Sequence, residues 1–169
     1  LLGCTTTRNP APSQSGPWRL KDLSNPVGYN TGNHFGLSEE IYYEGEPFQG
    51  RPTQVFAYLA KPATVSEGKH PAMVLVHGGG GKAFREWAEH WARRGYIAIA
   101  MDLAGNGPGG RMLNGGPDQS DATKFRNFTE SETAEMWSYH AVANVIRAHS
   151  LLLSLPEVDP NRTGLTGIS

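Results

Sequence analysis

Pro71-Ala72-Met73-Val74-Leu75-Val76-His77-Gly78-Gly79-Gly80-Gly81 is an apolar run without alternation that empties into four consecutive glycines. A strand apolar on both faces is one that helices cover on both sides, the usual condition of a parallel sheet. The residues that follow agree. Phe84, Trp87, Ala88, Trp91 and Ala92 fall at helical spacing over residues 82–94, Arg93 and Arg94 occupy the last turn, and Gly95 is placed to cap it. Tyr96-Ile97-Ala98-Ile99-Ala100-Met101 is then a second continuous apolar strand, closed by Asp102. Strand, helix and strand in this order predict a βαβ unit with parallel strands.

Upstream, residues 40–43 and 54–60 read as two strands of an antiparallel hairpin joined by a long loop over 45–52. Residues 5–33 are rich in Thr, Pro, Ser, Asn and Gly, which predicts a tether or surface-hugging arm (1–33) ahead of a domain at 34–169. Trp18 is expected to dock somewhere, because lone tryptophans rarely stay solvated. Downstream, residues 103–128 form a long glycine-rich connection of the kind that is usually functional or disordered. Thr129-Glu130-Ser131-Glu132 reads as a capping box opening a helix. That helix carries Trp137, Ala141, Val145, Ala148, Leu152 and Leu155 on one stripe and stops at Pro156. Asp159-Pro160-Asn161 is a tight turn, and residues 163–168 form a short last strand. The order β-β-β-α-β-α-β predicts an α/β fold: a mostly parallel sheet with flanking helices and an N-terminal antiparallel hairpin, incomplete at its C-terminal side.

The length of 169 residues fits one domain, and a net charge of −1 offers no basic excess for nucleic acid. No apolar run approaches the ~20 residues that cross a bilayer. A single cysteine excludes an internal disulfide framework. It stands in Leu1-Leu2-Gly3-Cys4, which resembles the lipobox of bacterial lipoproteins. Cys4 is therefore the candidate lipidation residue, and the expected location is secreted or periplasmic with a lipid anchor to the membrane.

In a parallel sheet, ligands gather beyond the carboxyl ends of the strands. Three such ends carry chemistry: Val76 before the glycines, Met101 before Asp102, and Ile168 before Ser169. Gly167-Ile168-Ser169 is the first half of a Gly-x-Ser-x-Gly nucleophile elbow, in which a sharp strand-to-helix turn exposes the serine hydroxyl. Gly36-Leu37-Ser38 also matches, but Glu40 stands where the second glycine belongs and no buried strand precedes it. Acyl transfer needs N–H donors aimed at a developing oxyanion, and Gly79 and Gly80 are the candidates. Asp102, Arg111 and Trp137, with Phe125, could wall a substrate pocket. The glycine run fails as a Walker A motif, because Val76 and Ala83 occupy two of its fixed positions. Gly78-x-Gly80-x-x-Ala83 does satisfy the dinucleotide fingerprint, with Asp102 at the next strand end, so an NAD-dependent oxidoreductase is an alternative. A tethered carbohydrate-binding module is a further one, against which the βαβ pattern speaks.

The succession Val-x-Val-His-Gly-Gly-Gly-Gly, helix, Arg-Gly-Tyr, Asp102, and Val-Asp-Pro-Asn-Arg-Thr-Gly-x-Thr-Gly-x-Ser resembles the α/β-hydrolase superfamily from about residue 36 onward. Within it the chain is most similar to secreted bacterial esterases of the acetyl xylan esterase and dienelactone hydrolase type, and the prolyl oligopeptidase catalytic domain is a near neighbour. The resemblance implies Ser169 as nucleophile, an Asp or Glu and a His later in the chain, and no cofactor or metal. Ser169 is the last residue of the sequence, so the chain is expected to be the front portion of a larger hydrolase, inactive alone. His77 is expected to brace the glycine turn, and His140 and His149 to be surface or packing residues. The implied reaction is hydrolysis of small acyl esters, acetylated sugars among them, with a peptidase as the alternative.

Overall fold

The computed structural model describes residues 16–63 and 68–168. Cys4 and Ser169 lie outside the described residues. In chain order the elements are helix α1 (Leu20–Leu23), strands β1 (Tyr29–Phe35), β2 (Ser38–Glu44), β3 (Gln54–Ala60) and β4 (His70–Val76), helix α2 (Arg85–Ala92), and strand β5 (Ile97–Met101). They continue with the short strands β6 (Asn106–Gly107) and β7 (Gly110–Arg111), helix α3 (Asp121–Lys124), a 3₁₀ helix (Glu130–Glu135), helix α4 (Trp137–Ser154) and strand β8 (Val158–Gly167).

Six strands form one sheet in the order β1-β2-β3-β5-β4-β8. It is mixed: β1 with β2, β2 with β3 and β3 with β5 pair antiparallel, while β4 pairs parallel with both β5 and β8. The jump from β3 to β5 and back to β4 is the βαβ crossover that the apolar runs predict. β5 is buried at every position, and its alternate residues feed opposite layers. Ile97, Ile99 and Met101 join Ala148, Leu151 and Leu152 of α4 on one face. Ala98 and Ala100 meet Ala88 and Ala92 of α2 on the other, so α2 packs through alanines.

Three local differences from the sequence reading have physical reasons. First, the 33/34 domain boundary falls inside β1, which pairs Tyr29 with Tyr43 and Thr31 with Ile41. Its middle, Asn30 to His34, is exposed, so this edge strand carries no apolar alternation to read. The segment before it hugs the domain, with Leu23 and Val27 buried and Trp18 Nε1 donating to the Tyr139 carbonyl at 3.0 Å. Second, the Thr129 capping box exists, with Thr129 N–H donating to Glu132 at 2.9 Å, but it opens the 3₁₀ helix, and α4 starts only at Trp137 after an extended Met136. Third, the inward face of α4 includes Tyr139, His140, Ala143 and Asn144, whereas Trp137, Ala141 and Val145 are only partly buried. Tyr139 and His140 each meet a partner there, His140 Nε2 lying 2.8 Å from the Ala134 carbonyl. Tyr139 Oη donates to Glu46 at 3.2 Å, and Arg147 Nε holds the same carboxylate at 3.0 Å.

The Asp159-Pro160-Asn161 turn is present, but as an outward bulge within β8. His70 pairs with Val158 and Ala72 with Thr163, so the intervening residues of β8 have no counterparts on β4. Asn161 N–H donates to Asp159 Oδ1 at 3.0 Å, closing the turn. Among the described residues no helix is long and apolar enough to cross a membrane.

Leu151 is fully buried between α4 and the sheet. Leu151→Ala should lower the unfolding free energy by about 2–5 kcal/mol, read by denaturant titration of the full-length protein. A loss under 1 kcal/mol, far below that range, would contradict the packing described.

Candidate active site

The three strand ends singled out by sequence meet at one rim. Val76 pairs with Met101 on one side and Gly167 on the other. The Ile168 N–H donates to the Val76 carbonyl at 3.1 Å, so β8 stays in register up to the residue before Ser169. An open cleft of ≈ 600 Å³ lies here, lined by His77, Gly78, Gly79, Phe84, Trp87 and Ile168 among others. The glycine turn and the end of β8 thus share one cleft.

His77 organises the turn. It is buried, and its Nε2 accepts the Leu103 N–H at 2.9 Å, so that nitrogen carries a lone pair. Its Nδ1 lies 2.7 Å from the Gly78 carbonyl, which can only accept, so Nδ1 carries the hydrogen. The ring is therefore neutral and fully used by backbone, a brace with no lone pair left for proton transfer. The Gly78 carbonyl also accepts the Gly81 N–H at 3.1 Å. Every described peptide bond is trans, and in a trans peptide the C=O and N–H point opposite ways. Anchoring the Gly78 oxygen inward therefore turns the Gly79 N–H outward. That N–H makes no hydrogen bond among the described residues, and Gly79 lines the cleft.

Gly80 behaves differently from expectation. Its N–H donates to Gln119 Oε1 at 2.8 Å and is already satisfied. Of the two glycines expected as oxyanion donors, the geometry leaves Gly79 free and Gly80 occupied. Gly80 sits at φ +71°, where a side chain is strained. A Cβ on Gly81 would come within 2.8 Å of His77 Nδ1.

Asp102, Arg111 and Trp137, expected to wall a substrate pocket, are not among the residues lining this cleft. Asp102 is buried, and its Oδ2 accepts the N–H groups of Ala104 and Asn106, each at 2.8 Å, capping the turn after β5. Arg111 donates to the carbonyls of Ala104, Gly115 and Gly116, knotting the glycine-rich loop to itself. Trp137 Nε1 donates to the Leu103 carbonyl at 2.6 Å. The peptide groups of Leu103 are thus held from both sides, by His77 and by Trp137. Phe125 is largely solvent-exposed. His140 is buried against Phe48 and Tyr139, and burial depresses its pKa below the ordinary 6.5, partly offset by its bond to the Ala134 carbonyl. His149 is 2.9 Å from Thr163 Oγ1. Leu103 and Gln119 went unread in the sequence, because a single Leu or Gln in a glycine-rich loop carries no spacing signal.

The dinucleotide reading loses its geometry here. That fingerprint needs a helix N-terminus at the glycines, yet α2 begins only at Arg85, and the acid expected on a ribose is buried as a turn cap.

The family pattern described as "Acetyl xylan esterase (AXE1)" matches residues 38–169. The chain belongs to the acetyl xylan esterase family. The match spans the whole sheet except β1, including the glycine turn and the end of β8. Solved structures share the α/β-hydrolase fold. An acetyl xylan esterase from Paenibacillus sp. superposes with a TM-score of 0.58 at 21% identity, over 88% of this chain and 48% of its own. Acetyl xylan esterase 1 from Thermoanaerobacterium sp. gives 0.60 at 19% identity, over 89% and 49%. A glucuronoyl esterase from Solibacter usitatus gives 0.51 at 16%, over 96% and 48%. This acetyl xylan esterase family chain therefore spans about half the length of the structures it matches. A search of curated proteins gives no significant match.

Two outcomes follow from the site. Gly81→Ala should push on the His77 ring and destabilise the protein by about 1–3 kcal/mol, read as a lowered denaturation midpoint; an unchanged midpoint would mean the ring is not held as described. His140 stays neutral in the folded state to a lower pH than when unfolded, so the unfolded chain binds more protons once pH falls below 6.5. Stability contributed at this residue is full above that pH and declines below it. In His140→Gln the fall of unfolding free energy below pH 6.5 should be shallower than in wild type; equal slopes would contradict the burial argument.

Proposed function

We propose that the full-length protein is a serine esterase that removes acetyl groups from carbohydrate esters. The observation that carries this reading is the rim shared by Ile168 and the glycine turn, with the Gly79 N–H unpaired in the cleft between them. Membership of the acetyl xylan esterase family supports the substrate class.

In this reading the Ser169 hydroxyl attacks the acyl carbon, and its proton passes to a histidine later in the protein. The carbonyl oxygen becomes an oxyanion, which Gly79 N–H and the N–H of the residue after Ser169 stabilise. The sugar alcohol leaves with the proton, and water then hydrolyses the acyl-enzyme. The described histidines that the structure ties down are poor candidates for the base, since His77 spends both nitrogens on backbone and His140 is buried on α4. The cleft favours a small acyl group through its apolar lining of Phe84, Trp87 and Ile168. Lipidation of Cys4 would tether such an enzyme outside the cell, where acetylated polysaccharide is met.

The test is acetate release from acetylated xylo-oligosaccharide, and p-nitrophenyl acetate turnover, by the full-length protein. Ser169→Ala should lower kcat on the order of 10⁶-fold and abolish labelling by a fluorophosphonate. Retained turnover in that variant would overturn the serine assignment. Cleavage of peptide amides in preference to acetyl esters would replace the esterase with a peptidase.

A further inference from the structure

Four glycines in a row supply no side chains to hold a turn in shape. A Cβ built on Gly79 or on Gly80 meets nothing within 4 Å, so packing does not fix either peptide plane. Hydrogen bonds must do it, and they come from two directions. From below, His77 and Gly81 hold the Gly78 carbonyl and thereby the Gly78–Gly79 peptide. From above, Gln119 holds the Gly79–Gly80 peptide through the Gly80 N–H, from 39 positions further along the chain.

Gln119 is placed to do so by its neighbours. Ser120 N–H donates to Asp118 Oδ1 at 3.0 Å, and Thr123 Oγ1 donates to the Asp118 carbonyl at 2.7 Å, closing a tight turn around it at the start of α3. The Gln119 side chain is not simply a solvated surface amide. Its Nε2 is buried and, among the described residues, makes no hydrogen bond, while Oε1 holds the side chain at the glycine turn. Ordering a glutamine side chain costs rotamer entropy, which a freely solvated loop residue does not bear.

We propose that Gln119 is a positioning residue for acyl transfer: its Oε1 accepts the Gly80 N–H and locks the glycine turn with the Gly79 N–H aimed at the oxyanion. The proposal rests on the serine esterase reading above. It assigns the long 103–128 connection a task in the chemistry, as the element that reaches back over the turn. Without the bond the Gly79–Gly80 peptide is free to rotate, since glycine crosses φ at little steric cost. The Gly80 side of the turn, next to the donor that His77 holds, would then have to be ordered during the reaction, and catalysis would lose preorganisation while substrate binding stays intact.

The test is steady-state kinetics of full-length Gln119→Met, which keeps side-chain length without an acceptor. Gln119→Asn serves as the second variant, keeping the amide one methylene too short to reach. Both should lower kcat roughly 10- to 100-fold, the scale of a misplaced catalytic group, with KM within about twofold. Affinity for a boronic acid that mimics the tetrahedral oxyanion should fall in step with kcat/KM. Unchanged kcat in both variants overturns the proposal, and so does a raised KM at constant kcat, which would make Gln119 a ground-state contact. A loss of kcat accompanied by an equal loss of folded protein, read by circular dichroism, would assign Gln119 to stability and overturn it as well. An inactive wild type would remove the esterase reading itself, whereas an active wild type with indifferent variants removes only the role of Gln119.

Discussion

The site depends on one buried imidazole. His77 takes the Leu103 N–H on one nitrogen and gives its hydrogen to the Gly78 carbonyl from the other. Neither backbone partner can exchange roles, so the ring has one tautomer and one orientation. Because the Gly78 oxygen is fixed, the N–H on the far side of the same peptide is fixed too, and it faces the cleft. A buried polar side chain with both valences met is a rigid connector. Here it couples the loop after β4 to the loop after β5, and through Leu103 to Trp137 on α4.

The rest of the fold supplies the platform for that connector. β4 and β5 run parallel and in register up to Val76 and Met101, so the two loops leave the sheet side by side. β8 joins the same rim from the other flank. β5 presents an alanine face to α2 and an isoleucine and methionine face to α4. In the glycine-rich connection after β5, Asp102 and Arg111 spend their polar atoms on that connection's own backbone. Asp102 caps its first turn and Arg111 gathers its carbonyls, which leaves Gln119 as the side chain that reaches across to the glycines.

Apolar runs were legible in the sequence because burial on both faces removes alternation, as in β4 and β5. The capping glycine at Gly95 was legible too, and it sits at φ +87°. The meeting of the glycine turn with the end of β8 was legible from strand order alone. What stayed hidden was set by partners distant in sequence. β1 is polar and held by ladder bonds, not by a buried face. The inward turn of Tyr139 and His140 on α4 is met by Glu46 and the Ala134 carbonyl, partners that periodicity cannot see. Asp102, Arg111 and Trp137 were singled out from the sequence, and what the geometry adds is that each of them bonds backbone groups around the loop after β5. Gly80 was misjudged for a related reason: whether an N–H is free depends on a glutamine 39 residues away.

The most direct measurement of the central claim is a crystal structure of the full-length protein reacted with a small phosphonate ester. The account predicts a covalent adduct on Ser169 Oγ, with one phosphoryl oxygen within hydrogen-bond distance of the Gly79 N–H and the Gly80 N–H still bonded to Gln119. An adduct on another residue, or a phosphoryl oxygen directed away from the glycine turn, would contradict it.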